Sequence, residues 1–118
     1  MIELKSRSEL EKMRRAKGVV SAILLELEEM VAPGVTTKFL DREAEKLIKK
    51  HGAKPAFKNY QVGPNVFPAV LCVSVNEEIV HGIPSGRKLA DGDIVSLDFG
   101  VVCDEFFGDS AVTVPVGK

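Results

Sequence analysis

Apolar residues recur every three or four positions between residues 10 and 30, which predicts one long amphipathic α-helix. Ser6 and Glu9 precede this pattern at the spacing of a capping box, in which each side chain bonds the other residue's backbone N–H. The pair Pro33-Gly34 ends the helix. Gly18 weakens the middle of the helix by about 1 kcal/mol, and one interpretation is a close contact there with another helix or with the sheet.

A second helix is predicted to begin with Thr36 or Thr37 as its cap and to stop at Gly52. Its apolar face consists of Phe39, Leu40, Ala44, Leu47 and Ile48. Residues 53–68 are rich in Pro, Gly and Asn, and we expect a long loop over the sheet. Residues 2–5 form a short edge strand or a tail.

The chain changes to β-type patterns from residue 69 onward. Residues 70–75 predict a strand, and residues 79–81 continue in extended form. Residues 94–102 and 106–116 predict an antiparallel hairpin around a short polar turn, preceded by a turn at Asp91-Gly92. Two helices followed by a sheet predict an α+β fold in which the helices cover one sheet face. The other face needs a second partner or is the working surface.

Two aspartates interrupt the apolar strands of the predicted hairpin. Asp98 lies in the first strand and Asp109 in the second, and a charge in an apolar strand is costly unless something neutralises it. A turn centred on residues 103–104 would place the two aspartates opposite each other. A turn centred on residues 104–105 would make them diagonal neighbours on the same face, with Cβ atoms about 7 Å apart. A bulge at Gly100 or Gly108 would disturb either arrangement.

Two neighbouring carboxylates need a shared proton, a basic partner or divalent metal ions. The structural alternative is that one aspartate is exposed while the other only bonds turn amides. His81 offers a second chemical group, because Gly82 and Pro84 restrict the backbone after it. It is either a proton donor near a metal-bound water or a half-buried histidine bonded to a carbonyl oxygen.

The overall composition bears on the partners and the location of the protein. The 118 residues include 16 basic and 17 acidic side chains, and the net charge of -1 gives no support for nucleic acid or a membrane surface as a partner. No apolar run approaches the roughly 18 residues that a membrane span needs, and no signal peptide is recognisable. Cys72 and Cys103 lie in apolar runs and are expected to be reduced, buried thiols. We therefore expect a cytoplasmic location.

Several of these segments resemble the type I methionine aminopeptidases, in order and over essentially the whole chain. They are residues 8–14 (SELEKMR), 31–37 (VAPGVTT), 72–84 (CVSVNEEIVHGIP), 91–98 (DGDIVSLD), 108–111 (GDSA) and 116–118 (VGK). The resemblance implies the pita-bread fold, whose two similar halves hold two metal ions between them. The fold class expected here is therefore one α+β half of that fold, with two N-terminal helices on an antiparallel sheet.

The resemblance also implies roles for individual residues. Asp98 would chelate one metal ion and Asp109 would bridge both, while His81 would contact the substrate and assist proton transfer. Phe67 and Cys72 would line the pocket for the methionine side chain, although the family usually has tyrosine where this chain has Phe67. A monovalent cation is expected near Asn76.

The implied site is incomplete within residues 1–118. The family needs one more histidine ligand, two glutamate ligands and a second substrate-contacting histidine, all from a C-terminal half. We therefore expect residues 1–118 to be the N-terminal lobe of a two-metal enzyme that removes N-terminal methionine from nascent chains using Co, Mn, Fe or Zn, and we expect this lobe alone to be inactive. An uncovered apolar sheet face would drive it to pair with a C-terminal lobe or to form a homodimer.

Three alternatives remain at this stage. The first is a proline-specific peptidase or creatinase relative, against which residues 81–84 argue. The second is a non-catalytic binding module, against which the presence of both Asp98 and Asp109 argues. The third is an engineered or ancestral half-domain that dimerises.

Overall fold

A computed structural model describes residues 6–56, 61–62, 65–66, 69–76, 83–103 and 105–117. The predictions for residues 2–5 and 79–81, and those for Phe67 and His81, lie outside the described residues. Two helices come first, α1 (Arg7–Met30) and α2 (Thr37–Lys50). Six strands follow: β1 (Lys54–Pro55), β2 (Gln61–Val62), β3 (Asn65–Val66), β4 (Cys72–Val75), β5 (Ile94–Cys103) and β6 (Phe106–Pro115). This order confirms the predicted α+β arrangement.

Helix α1 begins as the capping box predicts. The Ser6 hydroxyl accepts the Glu9 N–H at 3.1 Å, and the Glu9 carboxylate accepts the Ser6 N–H at 3.0 Å. These two bonds satisfy N–H groups that would have no partner within the helix. The buried side of the helix follows the predicted spacing and consists of Ala16, Val19, Val20, Ile23, Leu24 and Leu27.

Helix α2 is capped by Thr36, whose hydroxyl accepts the Phe39 N–H at 3.0 Å. Gly52 ends it with a positive φ of 71°, and the Ala53 N–H bonds the Ile48 carbonyl oxygen at 3.1 Å, as in a Schellman motif. The prediction that Phe39 belongs to the buried face is wrong, because its side chain is 43% exposed. Phe39 lies in the first turn, whereas the buried hydrophobic positions of this helix begin one residue later, at Leu40.

The main sheet is organised around β5. One side of β5 pairs with β6 along its whole length, and the other side pairs with β4 over residues 95–98 and with β1 over residues 101–102. All pairings are antiparallel. Cys103 pairs with Phe106, so the β5–β6 hairpin reverses direction between these two residues, and the predicted hairpin is confirmed.

The segment predicted as a long loop is partly β-structure. Lys54 and Pro55 extend the sheet beside β5, and β2 pairs with β3 in a separate small hairpin. The composition of residues 53–68 did not indicate these pairings, because two-residue strands have no alternation of apolar and polar positions to detect.

Both helices pack on one face of the sheet and form a single core with it. The sheet approaches α1 closely at Gly108 of β6, where an added Cβ would lie 2.8 Å from the Ala16 carbonyl carbon. The close contact proposed for Gly18 is wrong, since a Cβ there would meet nothing within 4 Å. Within the described chain, neither helix is long and apolar enough to cross a membrane.

Candidate functional site

The register of the hairpin places both aspartates on the same face of the sheet. Asp98 pairs with Ala111 and Gly100 pairs with Asp109, so Asp98 and Asp109 are diagonal neighbours. Opposed residues share a face and side chains alternate along each strand, so both carboxylates project from the face opposite the helices. This is the second of the two arrangements predicted from the sequence. No bulge interrupts the pairing from Ile94 to Cys103.

The two aspartates on this diagonal interact electrostatically. Diagonal neighbours on one face of an antiparallel pair have Cβ atoms about 7–8 Å apart. The charge of Asp109 acts on Asp98, so the two carboxylates are within mutual electrostatic range.

The electrostatics of Asp98 reflect this proximity. Partial burial raises the pKa of Asp98 above its usual value, and the negative charge of Asp109 raises that pKa further. In the described part of the chain, neither carboxylate has a hydrogen bond or a salt bridge that would offset the repulsion. Binding of a proton or a cation would therefore relieve the repulsion between the two carboxylates.

The neighbours of Asp98 on this face are small. Cys72 of β4 lies opposite it on one side and Ala111 on the other, with Ser96 two positions earlier on β5. The two cysteines do not form a disulfide with each other. The prediction that both are buried is confirmed for Cys103 and wrong for Cys72, which is partly exposed because it lies on the sheet face opposite the helices. Cys72 therefore lies on the same surface as Asp98, and these described neighbours of the carboxylate are small.

The end of β4 is held by a side-chain clamp between Asn76 and Asp93. Asn76 has a positive φ of 55°, its side-chain oxygen accepts the Ile94 N–H at 2.9 Å, and its side-chain amide donates to Asp93 at 3.0 Å. Asp93 also accepts the Ala90 N–H at 2.9 Å. The hydrogen bond from Asn76 lowers the pKa of Asp93, and the Ala90 N–H and the charge of Arg87 lower it further. The Asn76 side chain, near which a monovalent cation was expected, thus joins β4 to β5.

Not every predicted site residue can be placed. The structure brings Cys72, Asp98 and Asp109 to one face, whereas His81 and Phe67 lie outside the described residues. The described residues contain no group of three or more His, Cys, Asp or Glu side chains arranged to hold a metal ion. Two oxygen-donor carboxylates suit part of a divalent metal site, and further ligands are needed to complete one.

The sequence patterns did not indicate Asp41 and Asp93, although both bond backbone N–H groups beside the site. One sequence feature could have drawn attention to Asp41: it follows Thr37 by four residues, so the two polar side chains lie on the same face of α2. Without the partners on other segments, such spacing is also typical of a solvated face. The contacts of Asp41 with Val70 and Leu71, and that of Asp93 with Asn76, depend on segments far away in the sequence.

The sequence comparisons agree over nearly the whole chain. The metallopeptidase family M24 matches residues 11–118. A methionine aminopeptidase 1 from Bacillus subtilis is 50% identical over 118 residues, covering 100% of this chain and 46% of the relative. A methionine aminopeptidase from Borreliella burgdorferi is 48% identical over 117 residues and is covered to 45%. The chain thus spans less than half the length of the relatives it matches.

Solved structures agree with this similarity. A methionine aminopeptidase from Thermotoga maritima superimposes with a TM-score of 0.89 at 42% identity, covering 100% of this chain and 46% of that one. Aminopeptidase P from Escherichia coli superimposes with a TM-score of 0.78 at 26% identity, covering 96% and 24% respectively. The predicted pita-bread fold is therefore confirmed. With a family match from residue 11 to residue 118, the chain belongs to the metallopeptidase family M24.

Proposed function

We propose that this chain is the N-terminal lobe of an aminopeptidase that removes N-terminal methionine from polypeptides. The observation that carries the proposal is the hairpin register, which brings Asp98 and Asp109 side by side on the sheet face away from the helices. Two relatives named methionine aminopeptidase are 48% and 50% identical to this chain over nearly its whole length. A family of metallopeptidases accounts for two carboxylates that lack a cationic partner in the described residues.

The proposed residue roles follow from position and chemistry. Asp98 and Asp109 would hold divalent ions, which supply an activated water nucleophile and polarise the scissile carbonyl when they are bound. Cys72, opposite Asp98, would form part of the apolar wall around the methionine side chain, together with Phe67. His81 would hold the amide nitrogen of the substrate and move a proton there.

The identity of the metal ions is open among Co, Mn, Fe and Zn, since oxygen-rich sites accept several of them. A monovalent cation near Asn76 stays a prediction. The Asn76 side chain already bonds Ile94 and Asp93, so backbone oxygens would have to supply the ligands for such an ion. The cytoplasmic location also stays a prediction.

The proposed partner of the open sheet face is a complementary C-terminal lobe, with a homodimer as the other possibility. The expectation of a large apolar patch on this face is wrong for the described sheet, because small and polar side chains dominate it: Cys72, Ser74, Ser96, Asp98, Asp109, Ala111 and Thr113. Ile94 and Phe107, each 53% exposed, are the large apolar side chains on the described face. A polar, carboxylate-bearing face favours a partner that adds metal ligands over one that only buries apolar area.

A chimera tests the function directly. This chain would replace the matching 46% of the Bacillus subtilis relative, so that the remainder of that protein completes the site. With Mn²⁺ or Co²⁺ added, we expect the chimera to release methionine from a Met-Ala-Ser peptide and to leave Ala-Pro peptides intact. Release of the residue before proline instead would transfer the assignment to the proline-specific peptidases.

Two substitutions in the chimera test the ligand roles. Asp98→Asn and Asp109→Asn should each reduce kcat/KM by at least about a thousandfold while the melting temperature of the metal-free protein stays within about 3 °C, because the change is isosteric and lies on the open face. Ser96→Ala, two positions from Asp98 on the same face, is the matched control and should keep its activity. Near wild-type turnover in either aspartate variant would contradict the ligand roles.

A further inference from the structure

Residues in the first turn of helix α2 form hydrogen bonds with the backbone of a segment that is distant in the sequence. The Thr37 hydroxyl accepts the Ser85 N–H at 2.8 Å and donates to the Ser85 carbonyl oxygen at 3.1 Å. The backbone N–H groups of Lys38 and Thr37 add bonds to the carbonyl oxygens of Ser85 and Arg87, at 2.8 and 3.1 Å. Thr37 is only 3% exposed, so water cannot easily replace these bonds.

One helical turn later, Asp41 holds a second segment. A single carboxylate oxygen of Asp41 accepts the N–H groups of Val70 and Leu71 at 2.9 and 3.0 Å. Val70 is 1% exposed and Leu71 is fully buried, so both N–H groups depend on a protein acceptor. Thr37 and Asp41 are four residues apart and therefore lie on the same face of α2.

The two held segments are the ends of one stretch of chain. Leu71 directly precedes Cys72, which lies opposite Asp98, and Ser85 follows His81 by four residues. Both anchors bind backbone groups, at residues 70–71 before β4 and at residue 85, so they do not depend on which side chains the stretch carries. They act in addition to the pairing of β4 with β5, which holds residues 72–75. Residues 72–84 contain both Cys72 and His81, which the proposed function assigns to the substrate.

We propose that Thr37 and Asp41 are positioning residues, which fix both ends of residues 72–84 relative to the carboxylate pair. Neither residue touches substrate; each acts through the backbone that it holds. The consequence for activity rests on the proposed function, whereas the consequence for local structure does not. Removing either anchor should loosen one end of the stretch before the rest of the fold.

The first test compares two thiols in the chimera described above. Cys72 is next to the Asp41 anchor, while Cys103, 8% exposed near the end of β5, reports unfolding of the whole sheet. In Asp41→Ala, alkylation of Cys72 by iodoacetamide, followed by mass spectrometry, should accelerate about tenfold more than alkylation of Cys103, the factor expected for losing a hydrogen bond to a charged acceptor. Asp41→Asn keeps an oxygen acceptor and should stay within about twofold of wild type. Equal acceleration of both thiols in Asp41→Ala would overturn the proposal.

The second test uses amide hydrogen exchange at the other end. Thr37→Val preserves side-chain shape but removes the hydroxyl, so exchange of the Ser85 N–H should accelerate about tenfold relative to that of Leu97 in the centre of β5. Thr37→Ser restores the hydroxyl and should restore protection. Uniform acceleration at Ser85 and Leu97 in Thr37→Val would show a purely structural role and overturn the positioning role.

The activity readout separates this proposal from the proposed function. In an active chimera, Asp41→Ala and Thr37→Val should each lower kcat/KM about tenfold, with rescue by Asp41→Asn and Thr37→Ser. Wild-type kcat/KM in Asp41→Ala and Thr37→Val would overturn the positioning role. A wild-type chimera without any turnover would refute the proposed function, and the thiol and exchange measurements would then still decide whether the anchors hold residues 72–84.

Discussion

The two faces of the central sheet differ in almost every physical respect, although the same strands build both. Along β5, Val95, Leu97 and Phe99 face the helices and are fully buried, while Ser96 and Asp98 between them face the other way. On β6, Gly108 lies against the backbone of α1, whereas the adjacent Asp109 is exposed on the opposite face. The two-residue period of a strand thus separates the residues that form the core from those that form the carboxylate pair.

This difference shows how the chain can hold two repelling carboxylates without destabilising its core. The covered face contributes the apolar burial, and the open face contributes a charge arrangement that is unfavourable until a cation arrives. Substitutions on the two faces should therefore have separate signatures, one in the free energy of unfolding and the other in pH and metal dependence.

The largest contrast is expected between neighbouring positions of β5. Phe99→Ala should lower the free energy of unfolding by about 3–5 kcal/mol, because Phe99 is fully buried and its truncation leaves a cavity in the core. Ser96→Ala removes only an exposed hydrogen bond to Thr113 and should change it by less than about 0.5 kcal/mol. Urea unfolding followed by circular dichroism measures both. Similar losses in the two variants would mean that the open face contributes to the core as much as the covered face does.

The glycines of the hairpin provide the next contrast. Gly108→Ala pushes a methyl group into the Ala16 backbone and should cost about 1–3 kcal/mol. Gly100→Ala meets mainly the Phe107 ring, an exposed side chain that can rotate, and should cost less than about 1 kcal/mol. Thermal unfolding of both variants measures the difference.

Gly18→Ala is the matched control for these glycines. It lies on the exposed side of α1 with open space around it, so alanine should stabilise the helix by about 0.5–1 kcal/mol. A Gly108→Ala variant as stable as Gly18→Ala would show that α1 can move away from β6 without loss.

The smallest effect concerns pH and the open face. The pKa of Asp98 is raised in the folded chain by partial burial and by Asp109, so ionisation of Asp98 disfavours folding. The cost of this ionisation to folding is absent below the pKa of Asp98 in the unfolded chain, near 3.8. It grows as the pH rises from there through the higher pKa of the folded chain. Metal-free Asp98→Asn should therefore be slightly more stable than wild type at pH 7, and this advantage should vanish below pH 3.8.

Carboxyl NMR titration checks the cause of the Asp98 shift. Asp109→Asn removes the neighbouring charge, so the pKa of Asp98 should fall towards its usual value while the contribution of burial remains. An unchanged Asp98 pKa in Asp109→Asn would show that the two carboxylates do not interact.

Much of this fold was predictable because its signals are local. The Ser6–Glu9 capping box, the stop at Gly52 and the alternation along β5 and β6 each depend on residues close in sequence. The pairing of Asp98 with Asp109 was predictable only as two alternatives, since one residue of turn position decides between opposite and diagonal neighbours.

The failures have a common origin in long-range contacts. Gly18 marks no close approach, whereas Gly108 does, because the crossing point of α1 on the sheet depends on the packing of both elements. Phe39 continues the apolar period of α2 but lies 43% exposed in its first turn. The anchors at Thr37 and Asp41 bond residues 70–71 and 85, which no local pattern connects to α2.

The sequence by itself determined the helices, their caps, the hairpin and the alternation that puts Asp98 and Asp109 out of the core. Its motifs also indicated the metallopeptidase family. Only the tertiary structure decided that the aspartates are diagonal neighbours, that their face is polar, and that α2 holds both ends of residues 72–84. The physical reason is range: periodicity and capping act over a few residues, while register, packing and backbone anchoring depend on segments that meet only in the folded chain.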